Sequence, residues 1–540
     1  MGLPAQARPH ASAPHWTYPA GAAQIRGVAP LFGPWADRSL FGQRWPGPGR
    51  HASPAALVAV LGTAVVAALA IPLDRGGLGW LVTVTIGVVA LTAARIWPGS
   101  PGPTAPKPGV SWQPKPLSKA RFFWSATTVA LLAVGTFRAA GWLFFLCLLT
   151  AMLTGALAVA GGRSSRGMAL AAFFAPFAGL RALPWLARGL AAGRRSGGKT
   201  RLFATIAVSV ALLLVFGALF ASADAAFARI VTAVIPDIDV ATVVRWIFVF
   251  GATTLVVGGA AFLRAAPPNL PDSAGTAPRR MARLEWAIPL SLLVLLFAFF
   301  VGVQLTVLFG GSRHIFGPDG PTFAEYARSG FWQLLIVTGL TLLVLAGAAR
   351  WAPRETRTDR VLMRTILGAL SLLTLVIVAS ALHRMNLYSD TYGLTRLRVL
   401  VALCELWLGV VFLLILGAGI RLRAAWLPRT VLAAGVLALI GLGAANPDRL
   451  IADHNVARFS KTGNIDTAYL SQLSADAVPE LDRLPELERI CALGPIALDL
   501  DVDRDDWRGW NLGRHQARDL LRDKPVDVNR TCADLPETSR

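Results

Sequence analysis

The chain has 540 residues, of which 54% are hydrophobic and only 15% charged, whereas a soluble globular protein carries about 25% charged residues. Its apolar residues run in blocks close to the roughly 20 that a helix needs to cross a hydrocarbon core of about 30 Å, which sets aside a soluble protein with buried helices. The net charge of +21 lies between those blocks, where anionic head groups and the positive-inside bias account for it; with no zinc spacing and no aromatic-interleaved basic patch, nucleic acid is not an expected partner.

Residues 1–53 are rich in Pro, Gly and Arg and hold no apolar segment, so they are expected to form a disordered cytoplasmic arm. Length and apolarity then predict about eleven spans: 54–73, 77–94, 122–137, 139–160, 202–222, 241–263, 286–308, 331–349, 362–382, 399–420 and 426–445. A Pro/Gly/Lys linker separates the second span from the third, and the third and fourth form a tight hairpin at Arg138. Segment 167–190 is interrupted by Arg181, Pro184 and Arg188 and is expected to be interfacial or re-entrant. Residues 54–445 thus form the transmembrane domain, and 446–540 a small, mostly helical tail in which 507–521 has the pattern of an amphipathic helix. The fold class is all-α, a polytopic transmembrane helix bundle.

Orientation follows from Lys and Arg in the short loops. With the N-terminus inside, the inner loops hold Arg194, Arg195, Lys199, Arg279, Arg280, Arg350, Arg354 and Arg357, among others, and the outer loops are poorer except around Arg384, Arg396 and Arg398. An odd number of spans places the tail outside the cytoplasm, in the cell membrane of a multi-pass protein. There an oxidising compartment would let Cys491 and Cys532 pair, whereas Cys147 and Cys404 lie in spans and read as small apolar residues.

Two motifs fail on context. Gly193-Arg-Arg-Ser-Gly-Gly198-Lys199-Thr200 fits the pattern of a phosphate-binding loop but lacks the strand before it and the soluble domain around it. Asp499, Asp501, Asp503 and Asp505 alternate as in a calcium loop, yet Arg504 and Trp510 stand where Gly and Glu are needed. Catalytic, cofactor and metal motifs are absent from the sequence. No cofactor is expected, and an enzyme is the less favoured reading.

The candidate residues lie toward the predicted outer face. Glu405 sits inside the tenth span, about 9 Å deep at 1.5 Å per residue. An intramembrane carboxylate is a functional candidate by default, and pairing with Arg396 or Arg398 near the interface is the structural alternative. The stretch from His383 to Arg398, dense in His, Tyr, Asp and Arg, is expected to be a loop. With Asp224 at the end of the fifth span and Glu325 before the eighth, its Tyr388, Tyr392 and Arg396 form a candidate outer-face polar cluster. The alternative is a set of helix caps and interfacial anchors.

Three stretches carry a resemblance: Glu285-Trp-Ala-Ile-Pro-Leu leading to Phe309-Gly-Gly; Thr322-Phe-Ala-Glu-Tyr-Ala-Arg-Ser-Gly-Phe-Trp-Gln-Leu334; and Arg384-Met-Asn-Leu-Tyr through Tyr392-Gly-Leu-Thr-Arg-Leu-Arg398. Asn446-Pro-Asp-Arg-Leu-Ile-Ala-Asp-His-Asn-Val456 and Leu473-Ser-Ala-Asp-Ala-Val-Pro479 extend it. Together they resemble the bacterial polytopic membrane proteins grouped as domain of unknown function 4153, or its sibling 4173. The resemblance implies an inner-membrane protein and supplies no activity, cofactor or catalytic residue. Function therefore divides among a non-enzymatic sensor or assembly protein, a secondary transporter, and a membrane-embedded enzyme acting on lipid-linked substrates. The lipid bilayer and other membrane proteins are the expected partners.

Overall fold

The computed structural model describes residues 47–48, 50–96, 119–160, 165–196, scattered positions between 205 and 227, 240–266, 282–309, 331–421, 424–502, 505–527 and 532. Among them every regular element is helical. The helices are α1 (Pro54–Ala70), α2 (Leu78–Ile96), α3 (Lys119–Phe137), α4 (Gly141–Ala160), α5 (Ser165–Ser196), α6 (Val240–Ala265) and α7 (Arg283–Phe309). They continue with α8 (Phe331–Trp351), α9 (Arg357–Tyr392), α10 (Arg396–Arg421) and α11 (Leu427–Ala445). Three helices of the C-terminal segment follow, α12 (Pro447–Thr462), α13 (Glu486–Val502) and α14 (Leu512–Asp523), with shorter turns between α12 and α13.

Among the described residues eight helices are long and apolar enough to cross a membrane, and α1 and most of α2 form two shorter apolar helices. Their surfaces make the same point. On α7, Phe297 and Val301 are buried while Leu292, Leu296 and Phe299 are exposed, the last at 73%. A water-soluble protein does not leave such a stripe uncovered; a helix facing lipid has no need to bury it. The chain is an integral membrane protein.

Helix ends follow from local chemistry. Thr356 caps α9 and Asp359 returns the bond to the Thr356 N–H, a full capping box. The helix stops at Gly393, whose φ of 82° favours glycine. It therefore runs unbroken through His383–Tyr392, ten residues beyond the predicted span, and the expected loop shrinks to Gly393, Leu394 and Thr395. Asn446 at φ 55° ends α11, and Pro447 opens α12 at once.

Within the bundle, helices meet through small and hydroxyl side chains. Thr128 of α3 and Thr154 of α4 lie 2.8 Å apart, hydroxyl to hydroxyl. A Cβ on Gly259 of α6 would come 2.7 Å from the backbone nitrogen of Gly179 of α5. Such close approach is how helices associate where lipid offers no hydrophobic drive. Segment 167–190, expected as interfacial or re-entrant, lies within the 32-residue α5, which packs on α6.

The connections alternate in direction. The Arg283 guanidinium donates to Asp359 at 2.7 Å, so the starts of α7 and α9 share one end of the bundle. At the opposite end lie the α1–α2, α3–α4 and α9–α10 connections and the end of α11. The three connections bond to the C-terminal segment, and α11 runs directly into it. This end holds the candidate site.

Candidate functional site

The site is the junction between the bundle and the C-terminal segment. Its centre is Asp448, in the first turn of α12 and fully buried. Two of the Arg396 side-chain nitrogens reach it: Nε donates to Oδ1 at 3.1 Å and Nη2 to Oδ2 at 2.6 Å. Trp142 Nε1, from α4, donates to Oδ1 at 3.0 Å, and the Ser474 N–H to Oδ2 at 2.8 Å. Burial opposes ionisation here, but these donors outweigh it and hold the Asp448 carboxyl below the usual range. The backbone N–H of Arg396 donates to the Tyr469 hydroxyl at 2.7 Å, fixing the same corner from a second side.

A second carboxylate, Asp476, closes the α3–α4 turn. The N–H groups of Ala139 and Ala140 donate to its Oδ2 at 2.7 and 3.2 Å, occupying donors that the start of α4 would otherwise leave open. Burial pushes the Asp476 carboxyl up to about 6, the Ala139 bond opposing and the nearby Asp448 charge assisting. Among the described residues its Oδ1 has no hydrogen-bond partner. Around the same turn, Asn511 Nδ2 donates to the carbonyls of Gly135 and Arg138 at 2.8 and 2.9 Å. The Arg138 side chain donates to Gly443 O and Ala444 O at the end of α11.

Two further ties complete the junction. Asn455 of α12 accepts from Leu394 N at 3.2 Å and donates to Leu394 O at 2.8 Å, bracketing the α9–α10 connection like a paired strand. Asp505 binds Arg514, Arg518 and Arg75, and Arg514 Nη2 reaches Gly76 O at 3.0 Å in the α1–α2 connection. Burial works against the Asp505 charge, but Arg514 and Arg518 prevail and lower its carboxyl.

The described candidate residues have separate partners. Arg396 is bound to Asp448. Tyr388 and Tyr392 stack with ring centroids 5.0 Å apart, and the Arg398 guanidinium lies over the Tyr388 ring at 4.3 Å, within cation–π range. Arg398 also donates to Tyr392 O and Gly393 O, holding the end of α9. The described hydrogen bond of the Asp224 side chain is local, from Phe227 N at 3.0 Å, as a capping residue makes. Glu325 lies outside the described residues. Glu405 is 1% exposed, and among the described residues neither of its oxygens has a hydrogen-bond partner. Cys491 and Cys532 are joined in a disulfide.

Asp448, Asp476, Trp142, Asn455 and Asn511 escaped the reading of the sequence as site residues. Their signal was present in part: Asp448, Asn455 and Asp476 stand within the two C-terminal stretches that carry the family resemblance. Among the described residues no group of His, Cys, Asp and Glu is arranged to hold a metal. An open groove between α7 and α9, lined by Ser291, Val294, Leu295, Thr365, Ile366 and Ala369, contains none of the candidates.

A family model described as "Domain of unknown function (DUF4153)" matches residues 126–484. That interval includes Trp142, Arg396, Asp448 and Asp476, and ends before α13 and α14. No curated protein and no solved structure matches the chain.

Proposed function

The chain belongs to the DUF4153 family, and from that premise we propose that it is a non-enzymatic membrane protein of assembly or sensing, working through its docked C-terminal segment. The observation that carries this reading is the pair of half-buried Arg396 and fully buried Asp448, with Trp142 and Ser474 around it. The charged groups of the junction are engaged in holding the segment against three bundle connections. They build a fixed platform at the membrane surface, suited to receiving another membrane protein.

We place this platform outside the cytoplasm, on a bundle of about eleven spans in the cell membrane. Two features support the placement. Arg350, Arg354, Arg357 and Arg360 lie at the end opposite the C-terminal segment. The Cys491–Cys532 disulfide suits an oxidising compartment. Eight apolar helices and two shorter ones support that count, and the expected span 202–222 lies largely outside the described residues.

The test uses Asp448→Asn in the full chain, expressed in cells lacking the native protein. We expect normal membrane insertion, a C-terminal segment newly open to protease, and loss of complementation. A variant that undocks yet complements fully would defeat the platform reading. Protease added to intact cells settles the side: cleavage within 447–527 supports the placement, and protection until the membrane is broken reverses it.

A further inference from the structure

Glu405 takes no part in the junction. It stands nine positions after Arg396 on α10, about 14 Å further along the axis at 1.5 Å per residue. The hydrocarbon core is only about 30 Å thick, so this is deep within it. On the same helical face Val401, Leu408 and Phe412 are buried. Across the α9–α10 interface, Val401 clusters with Met385, and a Cβ built on Gly409 would lie 3.5 Å from Val378 Cγ1. These two contacts bracket Glu405 and set it level with buried Ala381.

Among the described residues, the basic groups nearest Glu405 in the sequence and on the neighbouring helices are engaged or directed elsewhere. On its own helix, Arg396 is bound to Asp448, and Arg398 to the Tyr392 and Gly393 carbonyls. From α9, Arg384 donates to Gln304 Oε1 at 2.7 Å, and His383 is exposed. From α11 the one charged residue is Arg429, near its start at the opposite end. From α12, Asp448 is paired with Arg396, while Arg449 turns to Glu480. Cys404 is the adjacent titratable neighbour. A metal cation would need several oxygen ligands, six to eight for calcium, and none of the side chains placed around Glu405 here supplies one.

We infer that Glu405 is a proton-binding site within the membrane, its carboxyl carried neutral in this conformation and ionised only when water reaches it. A charged carboxylate buried without partners is strongly disfavoured, while a neutral acid tolerates the site. The ligand is the proton itself. An opening of the α9–α10 interface would couple its release to movement.

A hydrophobic carbodiimide tests this in the purified full chain. The reagent reacts with the protonated acid: the carboxyl proton passes to a carbodiimide nitrogen while the carboxyl oxygen bonds the central carbon. The resulting O-acylisourea rearranges to a stable N-acylurea. Peptide mass spectrometry should find the adduct on Glu405, declining as pH rises and lost in Glu405→Gln, with a water-soluble carbodiimide leaving Glu405 unmodified. Glu405→Gln should also melt no lower than the parent, because a neutral amide replaces a neutral acid. Absence of the adduct at every pH, or a clear drop in melting temperature in Glu405→Gln, overturns the inference. Protection by sodium at fixed pH also overturns it, in favour of a cation site. Because Asp448 and Glu405 are separate, this test and the docking test fail independently.

Discussion

Asp448→Ala is the sharpest perturbation of the junction. Asp448 is fully buried and accepts four hydrogen bonds, two from Arg396 and one each from Trp142 and Ser474. Removing one partner of a buried ion pair costs about 3–5 kcal/mol, and each orphaned neutral donor about 1–3 kcal/mol. These terms overlap, and the Arg396 side chain is 30% exposed, so water recovers part of the loss. We expect about 3 kcal/mol, taken from the docking of the C-terminal segment. Since 1.36 kcal/mol is a factor of ten, the segment should open roughly 100-fold more often. Amide hydrogen exchange in micelles or nanodiscs reads this directly: protection should fall across 447–480 while α7 and α8 keep theirs. Exchange at 447–480 unchanged within about threefold, or raised equally across the whole bundle, would refute the assignment of Asp448 as the local tie.

Asp476 gives a pH dependence. Its carboxyl sits at about 6 in the folded protein, above the usual value of about 3.9, so its contribution is complete below that lower value and is lost as pH rises through 6. Docking should tighten between pH 8 and pH 5, and Asp476→Asn should flatten that dependence in exchange measurements. Gly393→Ala would place a Cβ 2.1 Å from Asn455 Oδ1 at a φ of 82°; we expect about 1–3 kcal/mol of destabilisation, seen as a lower melting temperature. Reduction of Cys491–Cys532 opens a loop of 41 residues, worth about 4 kcal/mol of chain entropy. The region after residue 486 should become protease-sensitive on reduction while the bundle remains resistant.

Much of the bundle was legible because a membrane demands long apolar runs, and the third and fourth spans came within three residues of α3 and α4. The polar stretch after residue 382 misled for a physical reason. Outside the hydrocarbon a helix no longer needs apolar residues, so α9 continues until Gly393 ends it, and polarity alone resembles a loop. The proposed pairing of Glu405 with Arg396 or Arg398 looked close in sequence, but Arg396 has a better partner 52 residues away. Asp448 and Asp476 were hidden by the same distance. Their partners in the α3–α4 region lie 306 and 337 residues away, and no local pattern announces a carboxylate whose donors belong to another part of the chain.

That separation has a consequence for biogenesis. The α3–α4 hairpin enters the membrane with the N–H groups of Ala139 and Ala140 uncapped by Asp476, and the carbonyls of Gly135 and Arg138 without Asn511. At about 5–20 residues per second of synthesis, Asp476 emerges roughly 20–70 s after Ala139, given the 337 residues between them. For that interval the nascent bundle exposes an unfinished polar end. A chain ended between residues 446 and 475 would carry all of α1 to α11 yet lack this seal, the form that membrane quality control would meet first.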